Sequence, residues 1–381
     1  MKPKHPPLKE VRETLRVKWY RCPVSRERLL ELSHRKDLLG WLQSLGHLFL
    51  FACTATLTYF FFNQGYYVLF LISLFLHGVV TSFFAFPNHE LGHGTVFKTK
   101  WLNRFFLWIY CVLAFHNHRD YAMSHTYHHR YTLHPDGDRE VELPKIPTFK
   151  FLYLLQLFTF NFSGGFESSG LIPIMKRTIW TAFGKFPFSS PSNEWIEALY
   201  EDCPKERRKS VNNARVILLF HLTVLVVSIV FELWLLPLLF TFSYFIGGIW
   251  RYLCGAPMHC GLRDNIPDFR LCVRSITLDP LSEFLYWHMN WHTEHHMYAG
   301  VPCYNLKKLY REIASDMPSP RTMIGAWKEM RKTYKRQQED PSYQFNTLLP
   351  ETAGRLPSEE HDFLGASIGD IAPDVLSAKE I

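Results

Sequence analysis

The sequence predicts an all-α membrane protein with four transmembrane helices in two hairpins, interfacial helices beside them, and a cytosolic helical cap that carries a histidine-rich dimetal site. Three observations predict it. Apolar residues make up 47% of the 381 and fall in blocks with the charges outside them, so a mean hydropathy of −0.09 averages two different kinds of chain. Neither short turn inside the apolar pairs carries Lys or Arg, whereas the flanks do, which places both turns away from the cytoplasm. Three segments hold histidines three or four residues apart, each beside an apolar block: His89-Glu90-Leu91-Gly92-His93, His125-Thr126-Tyr127-His128-His129 and His292-Thr293-Glu294-His295-His296.

Residues 1–44 carry eleven Lys/Arg against five Asp/Glu and read as a basic, part-helical cytosolic arm; with no apolar core and no small-residue cleavage site, no signal peptide is expected there. Residues 45–62 and 66–86 each approach the roughly 20 residues that a bilayer core demands, and Asn63-Gln64-Gly65 joins them into a hairpin. His47 and His77 inside these spans read as packing residues. The stretch 101–115 is short and interrupted by Arg104. If it crossed the membrane, the first two histidine segments would lie on opposite sides, so it is expected to be re-entrant or interfacial, as is 147–162.

From about 163 to 212 the chain turns polar, with Gly164-Gly165, Ser189-Ser190-Pro191 and a charged run from Glu201 to Lys209, and reads as a cytosolic insertion. A second hairpin is expected from 214–232 and 234–252. Four crossings put the arm, all three histidine segments and the carboxyl end on the cytosolic side. Residues 304–336 read as amphipathic helices of the cap. The chain thus divides into the arm 1–44, a membrane domain with its cap over 45–336, and a flexible polar tail over 337–381.

On a helix, residues three and four apart share a face, so each segment aims its imidazoles into one small volume. Adjacent histidines sit about 100° apart around the axis. His128 and His129, like His295 and His296, are therefore poorly placed to bind one ion in the same way, and two metals is the economical reading. The donors are His89, His93, His125, His128, His129, His292, His295 and His296, with His259 a ninth at the end of the fourth span. Imidazole suits zinc, copper, iron and nickel alike, but zinc cannot supply electrons, and a redox metal suits a site beside hydrocarbon substrates.

Other residues invite other readings. The first segment matches the zinc-protease pattern, with Glu90 as general base. That reading leaves the other two segments without a role, and the best acidic third ligand, Asp279, lies in a polar loop, so Glu90 is expected instead to orient a ligand ring. Asp136 and Asp138 follow the second segment as candidates to hold ligand rings or to serve only the turn. Asn290 and His288 precede the third segment as further candidates, while His116, His118 and His134 are expected outside the ligand set.

The formal charge of +7 flanks apolar spans, which fits anionic headgroups and not nucleic acid. Eight cysteines occur without a Cys-x-x-Cys pair and read as reduced. A transporter would need ionisable residues inside the spans, which contain almost none apart from His47, His77 and His221.

Taken together, the three segments, His128-His129-Arg130-Tyr131-Thr132 running on to Gly137-Asp138, and Asn290-Trp291-His292 resemble the membrane fatty acid desaturase and hydroxylase superfamily, in its desaturase branch, over residues 40–315. The resemblance implies a di-iron enzyme that uses dioxygen and two external electrons to remove hydrogens from an acyl chain or similar lipid, with hydroxylation as the alternative outcome. It implies two Fe2+ ions held by the box histidines, His259 as the extra ligand, and an electron donor such as ferredoxin or cytochrome b5 with its reductase. The enclosing membrane would be a bacterial inner membrane or the endoplasmic reticulum. Some members place Asn four residues before the extra histidine; here that position is Gly255.

Overall fold

The structure is a computed structural model that describes residues 5–141, 143, 147–163, 169–186 and 194–354. Gly164-Gly165, Ser189-Ser190-Pro191 and the tail from 355 onward lie outside the described residues. The described chain is mostly helical, with one parallel pair of two-residue strands, Ile276–Thr277 and Arg321–Thr322.

Among the described residues three helices are long and apolar enough to cross a membrane: Asp37–Asn63, Tyr67–Gly92 and Pro204–Val230. The first begins at Asp37, whose carboxylate accepts hydrogen bonds from Thr99 N (2.9 Å) and Thr99 Oγ1 (2.7 Å) and suits the positive end of the helix dipole. It ends in a turn at Gly65, which takes a φ of 74°. The second breaks briefly at Phe83-Phe84, and its last part, Ala85–Gly92, carries the first histidine segment directly off the apolar helix. In the third, Pro204 stands in the first turn, where its missing N–H costs nothing. The charged run read as insertion therefore supplies the opening turns of this helix.

The fourth apolar stretch, 234–252, is not one continuous helix. Pro237 interrupts it; Leu238–Phe242 winds as a π-helix, Ser243–Phe245 as a 3-10 turn, Gly247 takes a φ of 62°, and regular helix resumes only at Ile249–Gly255. From Ser243 to Gly248 its irregular backbone is buried, while Leu238, Phe240 and Phe242 in the π turn are partly exposed. A Cβ on Gly78 would stand 2.6 Å from Ile246, so the Tyr67–Ser82 helix can pass this close only with glycine there.

The histidines of the spans tie these segments together. His77 Nε2 donates to Leu239 O in the π turn at 2.9 Å, His47 Nε2 to Val80 O at 3.1 Å, and His221 Nε2 to Val112 O at 2.8 Å. Where water is absent, a broken backbone must find such donors within the protein. The short helices Lys100–Leu113 and Phe151–Phe158 occupy the two stretches read as interfacial.

The segments read from the sequence as a cap pack around the histidine segments. The second lies on His118–Tyr131, capped by Asn117, whose Oδ1 accepts from Arg119 N and Asp120 N. Against its outer face pack Trp195 of Trp195–Tyr200, which donates from Nε1 to Ser124 Oγ at 2.8 Å, and Leu8 and Val11 of the arm. The stretch read as insertion is therefore, in part, a lid on this helix.

Further along the arm, Tyr20 pairs with Asp268 in an isolated bridge and donates from Oη to Asp316, while Tyr298 Oη donates to Cys22 O. Buried Arg270 joins these pieces. It lies 3.8 Å over the Tyr20 ring, pairs with Asp268 and Asp316, and donates to Gly354 O. Residues up to Gly354 thus lie along the cap, with Phe345 N donating to Gly261 O at 2.9 Å. None of the eight cysteines is in a disulfide.

Candidate metal centre

The nine histidines named from the sequence fall into two buried groups. His89, His93, His125, His129 and His295 form one; His128, His259, His292 and His296 form the other; within each group the potential ligand nitrogens lie within 4.8 Å of one another. Neighbours in sequence part company: His128 and His129 enter different groups, as do His295 and His296. The groups abut, with the His129 and His296 rings stacked at 4.4 Å between centroids.

Helical geometry does most of this placing. His125 and His129, four apart, converge on one group, as do His89 and His93; His292 and His296 converge on the other. His259 follows the 3-10 turn Ala256–Met258, which ends the broken fourth stretch and turns this ring into the second group.

The outer nitrogens are held by identifiable partners. His89 Nδ1 meets Glu90 Oε1 at 2.9 Å, His125 Nδ1 meets Glu140 Oε1 at 3.1 Å and His128 Nδ1 meets Asp138 Oδ2 at 2.9 Å. His259 Nδ1 donates to Cys272 O at 3.2 Å, and His296 Nδ1 lies 3.1 Å from Thr132 Oγ1. A ring whose Nδ1–H is engaged by an oxygen presents its Nε2 lone pair inward, the tautomer a metal ligand needs. Burial also pushes the imidazoles of His93, His125, His129, His295 and His296 below their ordinary range, which favours neutral rings.

The inner nitrogens test whether a cation belongs here. His129 Nε2 lies 2.9 Å from His125 Nε2 and 3.2 Å from His295 Nε2; His292 Nε2 lies 3.0 Å from His259 Nε2 and 3.2 Å from His296 Nε2. A ring nitrogen carries at most one hydrogen, so each of these two atoms can satisfy only one of its contacts by hydrogen bonding. His89 Nε2 and both nitrogens of His93 are buried without a partner among the described residues. A positive ion in each group would satisfy all these lone pairs together, so the donor set fits two imidazole-bound metals.

The further candidates are placed as follows. Glu90 is fully buried, with Oε1 2.9 Å from His89 Nδ1 and 3.7 Å from His295 Nδ1, so this oxygen attends outer nitrogens of two candidate ligands. Asp138 holds His128 and also accepts from Leu133 N at 2.9 Å; Asp136 is exposed. His288 turns to Glu283 Oε1 at 3.2 Å, and Asn290 donates to Ile276 O at 2.9 Å. Burial pushes the Glu283 carboxyl up, but hydrogen bonds from His288 and Trp291 outweigh it and hold the group down to about 2. His116, His118 and His134 join neither group.

Three partners of the ligand rings escape the sequence reading. Glu140 lies fifteen residues beyond His125, outside any helical spacing, and its carboxylate was the one signal available. Thr132 and the Cys272 carbonyl act through atoms too common to single out. Within the third segment, burial pushes the Glu294 carboxyl up to about 7, and Ser275 Oγ donates to it at 2.5 Å.

The fatty acid desaturase family model matches residues 64–326, about two thirds of the chain, and that span contains all nine histidines. The chain belongs to the fatty acid desaturase family. No match is found among curated proteins. Membership of this desaturase family, with a buried histidine cluster of this composition, fits an oxidoreductase of the di-iron desaturase or hydroxylase type.

Proposed function

We propose that this desaturase-family chain is a multi-pass membrane oxidoreductase that holds two irons and uses dioxygen with two external electrons to desaturate an acyl chain or similar lipid. The balance is –CH2–CH2– + O2 + 2e− + 2H+ giving –CH=CH– + 2H2O. The observation that carries the reading is the division of nine buried histidines into adjoining groups of five and four, with inner nitrogens too close to one another to be satisfied by hydrogen bonds.

In this reading His89, His93, His125, His129 and His295 hold one ion, and His128, His259, His292 and His296 the other. Bound iron supplies dioxygen activation and the capacity to take hydrogen from an unactivated carbon. The chain's own residues fix the rings. Glu90, Glu140 and Asp138 hold the Nδ1 atoms of His89, His125 and His128, set their tautomer and raise their basicity; Thr132 positions His296, and Cys272 O positions His259. Burial of every ring excludes water from the reacting centre.

Membrane placement follows the same logic. The fourth stretch completes a second hairpin as a broken crossing, which a membrane tolerates when the irregular backbone is covered by protein, as it is from Ser243 to Ile246. Four crossings with Lys/Arg-free turns set the arm, the histidines and the cap on the cytosolic side. A ferredoxin or cytochrome b5 with its reductase supplies the electrons there.

The test is metal analysis of the detergent-purified chain, followed by lipid mass spectrometry with a reductant supplied. Two irons per chain and an oxygen-dependent loss of two hydrogens are expected. Gain of one oxygen atom would make the enzyme a hydroxylase, and a single zinc with peptide cleavage would overturn the reading.

A further inference from the structure

We propose that electrons reach this centre from an acidic one-electron carrier docked over Trp19, passing through the ring series Trp19, Phe269 and His296. The proposal rests on the di-iron reading above and adds the place of docking and the route inward.

The half-buried Trp19 indole stacks on Phe269, with centroids 4.0 Å apart and planes 9° from parallel. Phe269 is buried, and its ring stands 5.5 Å from that of His296. His296 in turn stacks on His129, so it touches both histidine groups. Two ring-to-ring steps therefore connect a partly solvent-facing aromatic to a candidate metal ligand.

The geometry of the route is fixed at both ends. Trp19 Nε1 donates to Arg130 O at 3.0 Å, at the end of the helix that carries the second histidine segment. Phe269 opens a short turn whose cap, Asp268, accepts from Arg270 N and pairs with the Arg270 guanidinium.

The surroundings of Trp19 select the partner. From Thr14 to Arg26 the arm carries Arg16, Lys18, Arg21 and Arg26 and no acidic residue. Arg16 and Lys18 are exposed, and the charges of Arg130, Arg16 and Arg12 converge on the Tyr131 ring just beyond. The nearest acids in sequence are Glu13 before this stretch and Glu27 after it; Asp202 faces Arg12, and Asp268 and Asp316 beside Tyr20 are paired with Arg270. A cationic rim around an aromatic contact suits a partner with an acidic rim around its own redox centre. Each encounter oxidises one reduced carrier and delivers one electron; two encounters supply the pair that the reaction consumes, and the two protons come from water.

The experiment uses the full chain in nanodiscs, with a plant-type ferredoxin and the soluble domain of cytochrome b5 as probes. Binding is measured on metal-free protein across ionic strength, and anaerobic oxidation of each reduced carrier is followed on the iron-loaded protein, with dithionite as the small-molecule control. Arg16→Glu with Lys18→Glu should slow carrier association by about tenfold and flatten its salt dependence. Trp19→Leu should remove most of the fast oxidation of bound carrier while leaving reduction by dithionite unchanged, and Trp19→Phe should restore part of it. Unchanged association in the charge variant would overturn the proposal. So would a Trp19→Leu effect that is equal for carrier and dithionite, or absent. Wild-type protein that accepts electrons from dithionite but from neither carrier would overturn it while leaving the di-iron reading intact; protein that binds no iron would overturn the di-iron reading itself.

Discussion

The two histidine groups differ in how they are braced. In the group of five, carboxylates stand behind His89 and His125, and one of them, Glu140, is partly exposed. In the group of four, one carboxylate, the buried Asp138, stands behind His128, while a backbone carbonyl and a hydroxyl serve His259 and His296. The group of five has more ligands and more charge around them. The group of four has fewer of both and rests on backbone whose position depends on the broken fourth stretch. Two ions in such unlike surroundings should differ in affinity, with the second held less tightly and more open to a small ligand.

The largest expected effect comes from breaking the junction between them. His129 contacts His125 and His295 through Nε2 and stacks on His296, so His129→Ala should release both metals and abolish turnover. His259→Ala, at the far side of the smaller group, should release one and leave the group of five loaded. Metal content per chain and the Mössbauer spectrum of iron-57 protein separate the two outcomes; equal loss from both variants would remove the distinction.

Next come the supporting carboxylates. Asp138→Asn should weaken metal binding roughly 10- to 100-fold, the usual effect of losing such a partner. Glu140→Gln should do less, because water can replace a partly exposed acceptor, and competition with a chelator would rank the two.

Acid offers a milder probe of the metal-free protein. Burial lowers the folded-state pKa of His93, His125, His129, His295 and His296. The folded chain then binds fewer protons than the unfolded chain, whose histidines titrate near about 6.5, so stability is greatest above that value and falls as pH drops through it. Thermal unfolding of metal-free protein between pH 8 and pH 5, on the order of three units around that midpoint, should show this decline, and His129→Gln should flatten it.

The smallest change is Gly255→Asn. The nearest atoms to a Cβ at Gly255 are Tyr286 Oη at 3.7 Å, with Met258 Cε and Phe86 Cζ at 4.0 Å, so the first carbon fits. The variant should fold with an unchanged melting temperature and retain the metal of the smaller group more firmly through chelator treatment.

Much of this site was legible because it is written in helical spacing. His125 with His129, and His292 with His296, share faces four residues apart, and the adjacent pairs already implied two groups. Glu140, Thr132 and Cys272 O were not legible, because the contacts that recruit them depend on loop paths and backbone direction. The first hairpin could be read from length and apolarity alone. The form of the fourth stretch was not legible in the same way: its composition matches a span, yet Pro237 and Gly247 redirect the backbone, and only the structure shows His77 taking up the Leu239 carbonyl that the distortion leaves.

The arm that straps the cap has a consequence for biosynthesis. Tyr20 and Cys22 emerge early, but their partners Asp316 and Tyr298 lie 296 and 276 residues later. Until those residues have been translated, residues 20–22 lack these partners, and closing so long a loop is slow. Residues 20–22 therefore dock only after residue 316 has been made, and the histidine rings stay within reach of incoming ions until then.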